Sequence, residues 1–170
     1  MPKRFTVIRD TNEKEGHGWF FNQTSSWCEN TKEVKLDTGD YTFEGYEKMF
    51  TIERKATTSE ISLNLFEDRF ERELERMEDI EYPFVVCEFS YQDMLDFPQN
   101  STIPKHRWEY LKVNNNSLLR ALIEFQAKYK AKWILAGKDN GRRISSCIMK
   151  RMAEMIENAE KATKPRRNKK

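Results

Sequence analysis

Apolar residues change their spacing several times along this chain, and each change predicts an element. The run "FTVI", residues 5–8, reads as a short strand ending near Asp10. Residues 13–29, with Gly16, Gly18 and the aromatics Trp19, Phe20, Phe21 and Trp27, predict a packed loop. The runs "EVKLDTGDYTF" (33–43) and "MFTIERK" (49–55) predict two paired strands, with Gly45 in the turn between them. In the second strand, the period of two sends Phe50 and Ile52 one way and Thr51, Glu53 and Lys55 the other. A strand apolar on one side and ending in a carboxylate and an ammonium on the other is built to present them.

Over residues 58–79 the spacing lengthens. Ile61, Leu65, Phe70, Leu74 and Met77 recur at helical intervals, which predicts one helix capped by Thr58 or Ser59. Its acids Glu67, Glu71, Glu73, Glu75 and Glu78, with Arg69, Arg72 and Arg76, read mainly as a solvated, salt-bridged face. Arg69 is kept as a candidate to reach a substrate. The continuous apolar run "YPFVVCEFS" (82–90) predicts a central strand buried on both sides. The stretch after it, with Pro98 and Pro104, reads as irregular. Leu118, Leu122, Phe125 and Tyr129 mark a helix, and "KWILAG" a further buried strand. Ile144, Ile148, Met152, Met155 and Ala159 mark a last helix after Gly141. This order predicts an α/β fold, a mixed sheet with helices on both faces.

Composition narrows the setting. At 170 residues, with 38% apolar and 34% charged, the chain fits one domain, and its 11 Phe, 6 Tyr and 4 Trp supply the bulk for a core. No apolar run approaches the roughly 20 residues that span a bilayer, and no signal-peptide core is present. Cys28, Cys87 and Cys147 are widely spaced and fit buried thiols in a reducing, intracellular setting. His17 and His106 give no zinc spacing. The last seven residues, "KPRRNKK", carry five cations, leaving 25 Lys and Arg against 28 Asp and Glu in the rest. The chain therefore divides into a mildly acidic domain, 1–161, and a basic tail, 162–170. Lys164, Arg166 and Arg167 in that tail read as either a solvated terminus or an electrostatic hold on a polyanion.

The candidate chemistry lies in the carboxylates. "AGKDNGRR" follows a strand and opens a helix, but lacks the glycine spacing and the Lys-Ser/Thr pair of a P-loop. Lys138, Arg142 and Arg143 there surround a helix N-terminus and are candidates for phosphate binding, beside the plain reading of a turn. Two loop histidines offer no nucleophile triad. Cleaving a phosphodiester calls for cations at the phosphate, an acidified water and support for the leaving oxygen. Mg²⁺ takes oxygen ligands and keeps several waters, so two or three carboxylates at strand ends suffice. Asp40, Glu53 and Lys55 have the right types on adjacent strands, and Asp10 and Glu13 could join them. The lysine can orient or deprotonate the water, or offset charge at phosphorus.

Gly39-Asp40 followed by Glu53-Arg54-Lys55 resembles the GD…ERK signature of XPF-type structure-specific endonucleases, within the restriction-endonuclease-like PD-(D/E)xK superfamily. "VIRDTNEKEGHGW" (7–19) is similar to that family's opening strand and D-x-R-E motif, and "DRFERELERM" (68–77) to its arginine-bearing helix. "YPFVVCEFS" and "KAKWILAG" match its later buried strands, so the resemblance covers roughly residues 5–160. Two positions depart from it. Asn12 replaces the motif arginine, and Ser59 the acid that often follows the ERK lysine.

The resemblance implies a restriction-endonuclease-like mixed sheet and a Mg²⁺- or Mn²⁺-dependent DNA endonuclease, in a compact standalone form as in phage or bacterial proteins. Its substrate would be branched or flapped DNA near a single-strand/duplex junction, in repair, recombination or replication. Asp40, Glu53 and Asp10 would bind metal, Lys55 would assist the water or the transition state, and Glu13 would support the site. Arg54 would meet a phosphate or turn inward, because alternation puts its Cβ opposite that of Lys55. A homodimer or a partner subunit is implied as well. The rival expectation is a nuclease-like fold without catalysis, serving as a DNA- or partner-binding scaffold. Retention of Asp40, Glu53 and Lys55 favours activity.

Overall fold

Six strands form one sheet in the order β2-β1-β3-β4-β5-β6, in a computed structural model that describes residues 3–13, 16–22, 25–65 and 67–163. The strands are β1 (Phe5–Arg9), β2 (Cys28–Glu33), β3 (Tyr41–Phe43), β4 (Phe50–Lys55), β5 (Tyr82–Cys87) and β6 (Lys132–Leu135). The helices are α1 (Thr58–Asn64), α2 (Asp68–Met77), α3 (Tyr91–Leu95), α4 (Asn115–Lys128) and α5 (Gly141–Thr163), with a 3-10 helix at Lys105–Tyr110. β3 is antiparallel to β1 and β4, and every other pairing is parallel. The sheet is mixed, as predicted.

Each face of the sheet has its own core. On one, Val7, Tyr41, Phe43, Phe50 and Ile52 pack against Met149, Met152 and Ile156 of α5. On the other, Val85 and Cys87 meet Ile61, Phe70, Leu74, Leu118 and Trp133 beneath α1, α2 and α4. β5 supplies both, with Val86 in the first cluster and Val85 and Cys87 in the second, all fully buried. That is the physical content of its unbroken apolar run. Helices cover both faces.

Three predicted elements come out differently. The single helix over 58–79 is two helices. In one straight helix, the nine residues from Ile61 to Phe70 would put these two about 180° apart. A break lets both enter the same core. Thr57, one residue earlier than predicted, caps α1 by accepting a hydrogen bond from Glu60 N–H at 3.1 Å. Next, the strand expected over 33–43 is only β3, and β2 forms instead, from Cys28 at the end of the predicted loop to Glu33. "CENTKE" is a mostly exposed edge strand, so it carries no apolar alternation to read. Last, the stretch taken as irregular holds α3, with a capping box in which Ser90 and Asp93 exchange hydrogen bonds. Cys28 and Cys87 are buried as expected, whereas Cys147 is exposed on α5. Among the described residues no helix is long and apolar enough to cross a membrane. α5 runs through Ala162 and Thr163, past the boundary expected at 161.

Candidate active site

Strand direction brings the site residues together. β1, β4, β5 and β6 run the same way, so their C-terminal ends share one edge of the sheet, and β3, running opposite, begins there. Asp40, just before β3, is held by three hydrogen bonds. Its N–H donates to the Ile52 carbonyl (2.8 Å), its carbonyl accepts from Asp10 N–H (2.8 Å), and its carboxylate accepts from Arg54 N–H (2.7 Å). Gly39 has a φ of 75°, and a Cβ there would lie 1.9 Å from Thr51 Oγ1. Only glycine lets the chain turn this close to β4. Its N–H donates to Glu73 Oε1 on α2 at 2.8 Å.

Alternation along β4 separates its last residues. Lys55 is 6% exposed and sits 4.5 Å over the Phe70 ring of α2. Its Nζ donates to Glu53 Oε1 at 2.9 Å and lies 3.7 Å from Glu60 Oε1. Arg54 points to the opposite face, over the Trp19 ring. Its guanidinium pairs with Glu88 at 2.6 Å and Glu13 at 3.3 Å. Glu13 also accepts from the Tyr41 hydroxyl at 3.2 Å.

Burial sets the charges. It pushes the Asp40 carboxyl well above its usual range, and the nearby Glu53 charge pushes it further. Burial also raises Glu53, against the pull of Lys55. For Lys55, burial pulls the ammonium down, but Glu53 and Glu60 outweigh it and leave it at about 12. It is a fixed cation at neutral pH.

Asp40, Glu53 and Lys55 line a cleft of about 250 Å³ together with Glu13, Arg54 and the exposed Arg69 of α2. Six acids (Glu13, Asp40, Glu53, Glu60, Glu67 and Glu73) face three cations (Arg54, Lys55 and Arg69) in it. A phosphate would be repelled unless further positive charge entered. Among the described residues no group of three His, Cys, Asp or Glu side chains is arranged to hold a metal by itself. The pair Asp40 and Glu53 could hold a hard cation that keeps most of its waters, as Mg²⁺ does. The excess of acid in the cleft fits such an ion.

Of the other candidate residues, Asp10 stands next to this cleft and the rest of those described lie apart from it. Asp10 is 3% exposed, and its carboxylate accepts from Leu36 N–H at 2.8 Å, Asn12 N–H at 3.2 Å and Lys35 Nζ at 3.3 Å. It lines an adjoining cavity of about 210 Å³ together with Asp40 and Glu53, and it pins the loop after β1. Lys138, Arg142 and Arg143 are exposed around the start of α5 and do not line the cleft. Arg142 donates to the Phe20 carbonyl at 2.9 Å. Lys164, Arg166 and Arg167 lie outside the described residues.

Besides Glu67, which lines the cleft, three acids join the site without having been singled out in the sequence. Glu60 accepts from Ala56 N–H at 2.9 Å and stands beside Lys55. The expected acid position, Ser59, faces away and accepts from Thr102. Glu73 had been grouped with the solvated face of the helix, yet its carboxylate turns in to Gly39. Its signal was the spacing of three from Phe70, which puts both on one helical face. Glu88 closes β5 and carries no signal of its own.

No family model and no curated protein sequence matches the chain. Among solved structures, XPF from Aeropyrum pernix is similar at a TM-score of 0.55 and 17% identity, over 89% of this chain and 65% of that one. The same protein in complex with DNA gives a TM-score of 0.54 and 18% identity, over 92% and 66%. The fold is XPF-like. This chain therefore spans about 65% of the length of the XPF chain it matches. At such identity the likeness shows an XPF-like fold and carries no role for any single residue. The chemistry rests on the cleft itself.

Proposed function

We propose that this protein is a Mg²⁺- or Mn²⁺-dependent DNA endonuclease that hydrolyses phosphodiester bonds. One observation carries the reading: Asp40, Glu53 and Lys55 line one strongly acidic cleft, with both carboxyls pushed up. An XPF solved with DNA supports DNA as the partner. Asp40 and Glu53 would hold the ion. When bound, such an ion neutralises the phosphate and acidifies water. Asp40 is pre-positioned by the Arg54 N–H, so little reordering is needed to present it. Lys55, charged at neutral pH, orients a water or offsets charge gathering at phosphorus, and is no general base in that state. Arg69 at the rim meets a neighbouring phosphate. Arg54 holds Glu13 and Glu88 in place. Asp10 acts as a positioning residue, its carboxylate fixing the loop that accompanies Asp40.

Branched or flapped DNA at a single-strand/duplex junction is the proposed substrate, and a second copy or partner subunit the proposed companion. The test is cleavage of labelled duplex, flap, fork and four-way DNA with Mg²⁺, Mn²⁺ or EDTA. We expect cutting with either metal, none with EDTA, and losses of at least about 100-fold for Asp40→Asn, Glu53→Gln and Lys55→Ala. Full activity of Glu53→Gln would remove the catalytic assignment. DNA binding by the wild type with no cutting of any substrate would favour a scaffold.

A further inference from the structure

A second groove lies behind the cleft, and α1 is the wall between them. Glu60 and Asn64 of α1 line the cleft, while Ser59 and Leu63 line the groove. The far wall comes from residues 102–111, including His106, Arg107 and Tyr110, and the cavity holds about 670 Å³. Tyr110 is 76% exposed and Leu63 65% exposed. One exposed apolar residue is ordinary, but two lining one groove beside cations call for an occupant.

The wall is rigid. Ser59 Oγ accepts from Thr102 N–H at 2.9 Å and from its hydroxyl at 2.8 Å, tying the segment to α1. Trp108 Nε1 donates to the Ile103 carbonyl at 2.9 Å and fixes the 3-10 helix. Its charge is positive, since Arg107 lines the groove and Lys105 and Lys112, next to lining residues in sequence, are exposed, with Glu109 as the one acid between them. The chain up to residue 163 is acidic, so this is a local reversal of sign.

We infer that this groove is a subsite for an unpaired nucleic-acid strand, whose bases stack on Tyr110 and His106 while Arg107, Lys105 and Lys112 meet its phosphates. Aromatic faces with flanking cations are what single-strand binding requires, because every base offers a π-face and every phosphate a charge. A helix is about 10 Å across. The groove therefore lies within a few nucleotides of the cleft. This inference rests on the nuclease reading for its link to cleavage, since it supplies the single-stranded arm of a junction whose duplex enters the cleft. An apolar peptide would leave the three cations without partners.

The test is fluorescence anisotropy in EDTA, with the full chain, a labelled oligothymidine and a blunt duplex. Tyr110→Ala should weaken oligothymidine binding about 5- to 150-fold and leave duplex binding unchanged, while Tyr110→Phe keeps both. Arg107→Gln should reduce the slope of log K against log salt on the single strand by about 0.7. Equal affinities for Tyr110→Ala and wild type, or equal losses on both DNAs, overturn the subsite. Self-association that Tyr110→Ala abolishes, with no oligothymidine binding, overturns it in favour of a second copy. Cleavage assays report separately on the nuclease reading. A protein that cuts, yet binds oligothymidine without Tyr110, loses only the subsite. A protein that cuts nothing, yet needs Tyr110 for oligothymidine, keeps the subsite and loses the nuclease.

Discussion

Asp40 holds its proton more tightly in the folded protein than in an unfolded chain, because burial and then Glu53 disfavour its charge. The sign of the consequence follows from linkage. Folded and unfolded forms are balanced alike below the ordinary value of 3.8, and stability falls as pH rises from there through the raised folded value. At neutral pH, without metal, burying this carboxyl is a net cost. Asp40→Asn keeps an acceptor for the Arg54 N–H and removes that cost. It should raise the melting temperature in EDTA by about 2–4 °C, for roughly 1 kcal/mol in a chain of this size, while cleavage is lost. An unchanged or lower melting temperature would show that Asp40 is not disfavoured. Lys55 runs the other way. Its contribution is fully present below 10.5 and fades as pH climbs to about 12. In EDTA, Lys55→Met should therefore cost on the order of 1–3 kcal/mol at neutral pH, as Glu53 loses its partner. The gap to wild type should hold to about pH 10 and shrink above it. A gap that closes near neutrality would mean that Lys55 is uncharged there.

The lead-in to β3 and the end of β4 act as one element, joined where Gly39 lies against Thr51. Gly39→Ala meets both a φ of 75° and a 1.9 Å approach to Thr51 Oγ1. It should destabilise the protein by about 2–3 kcal/mol and, by moving Asp40, lower cleavage further than unfolding explains. Thermal melts and single-turnover rates on the folded fraction would check it, and wild-type behaviour in both would refute the close-approach account. The same junction shows what the sequence could tell. Alternation in "FTIERK" gave the facing of Phe50, Ile52, Glu53 and Lys55, and the unbroken run in β5 gave its burial on both sides, because both patterns are local. β2 was hidden because an exposed edge strand imposes no apolar period. The break between α1 and α2 was written in the phase of Ile61 against Phe70, and the interval-by-interval spacing passed over it. Glu88 enters the site only through its contact with Arg54, 34 residues away in sequence, which no local pattern reports. Glu73 showed only in its spacing of three from Phe70.

At the scale of the molecule, the distribution of charge governs how a polyanion would approach. The cleft carries three more acids than cations, and the chain up to residue 163 has 25 Lys and Arg against 28 Asp and Glu. Long-range attraction to DNA must then come from local patches or from the five cations of residues 164–170. Each phosphate that the tail neutralises adds about 0.9 to the magnitude of the slope of log K against log salt on duplex DNA. Deleting residues 164–170 should weaken binding at low salt and flatten that slope by about one to three units. Turnover at saturating DNA should stay unchanged, because such contacts are equal in ground and transition states. Preference among DNA junctions should also hold, since phosphate contacts carry no shape information of their own. Titrations of both forms at several salt concentrations decide the matter. Identical slopes would make the tail a bystander and move the attraction onto exposed cations elsewhere in the chain. Lys138 and Arg143 near the start of α5 stand on the same sheet edge as the cleft, and Arg69 stands at its rim. Double replacement of Lys138 and Arg143 by Gln would then have to produce the flattening that tail deletion did not.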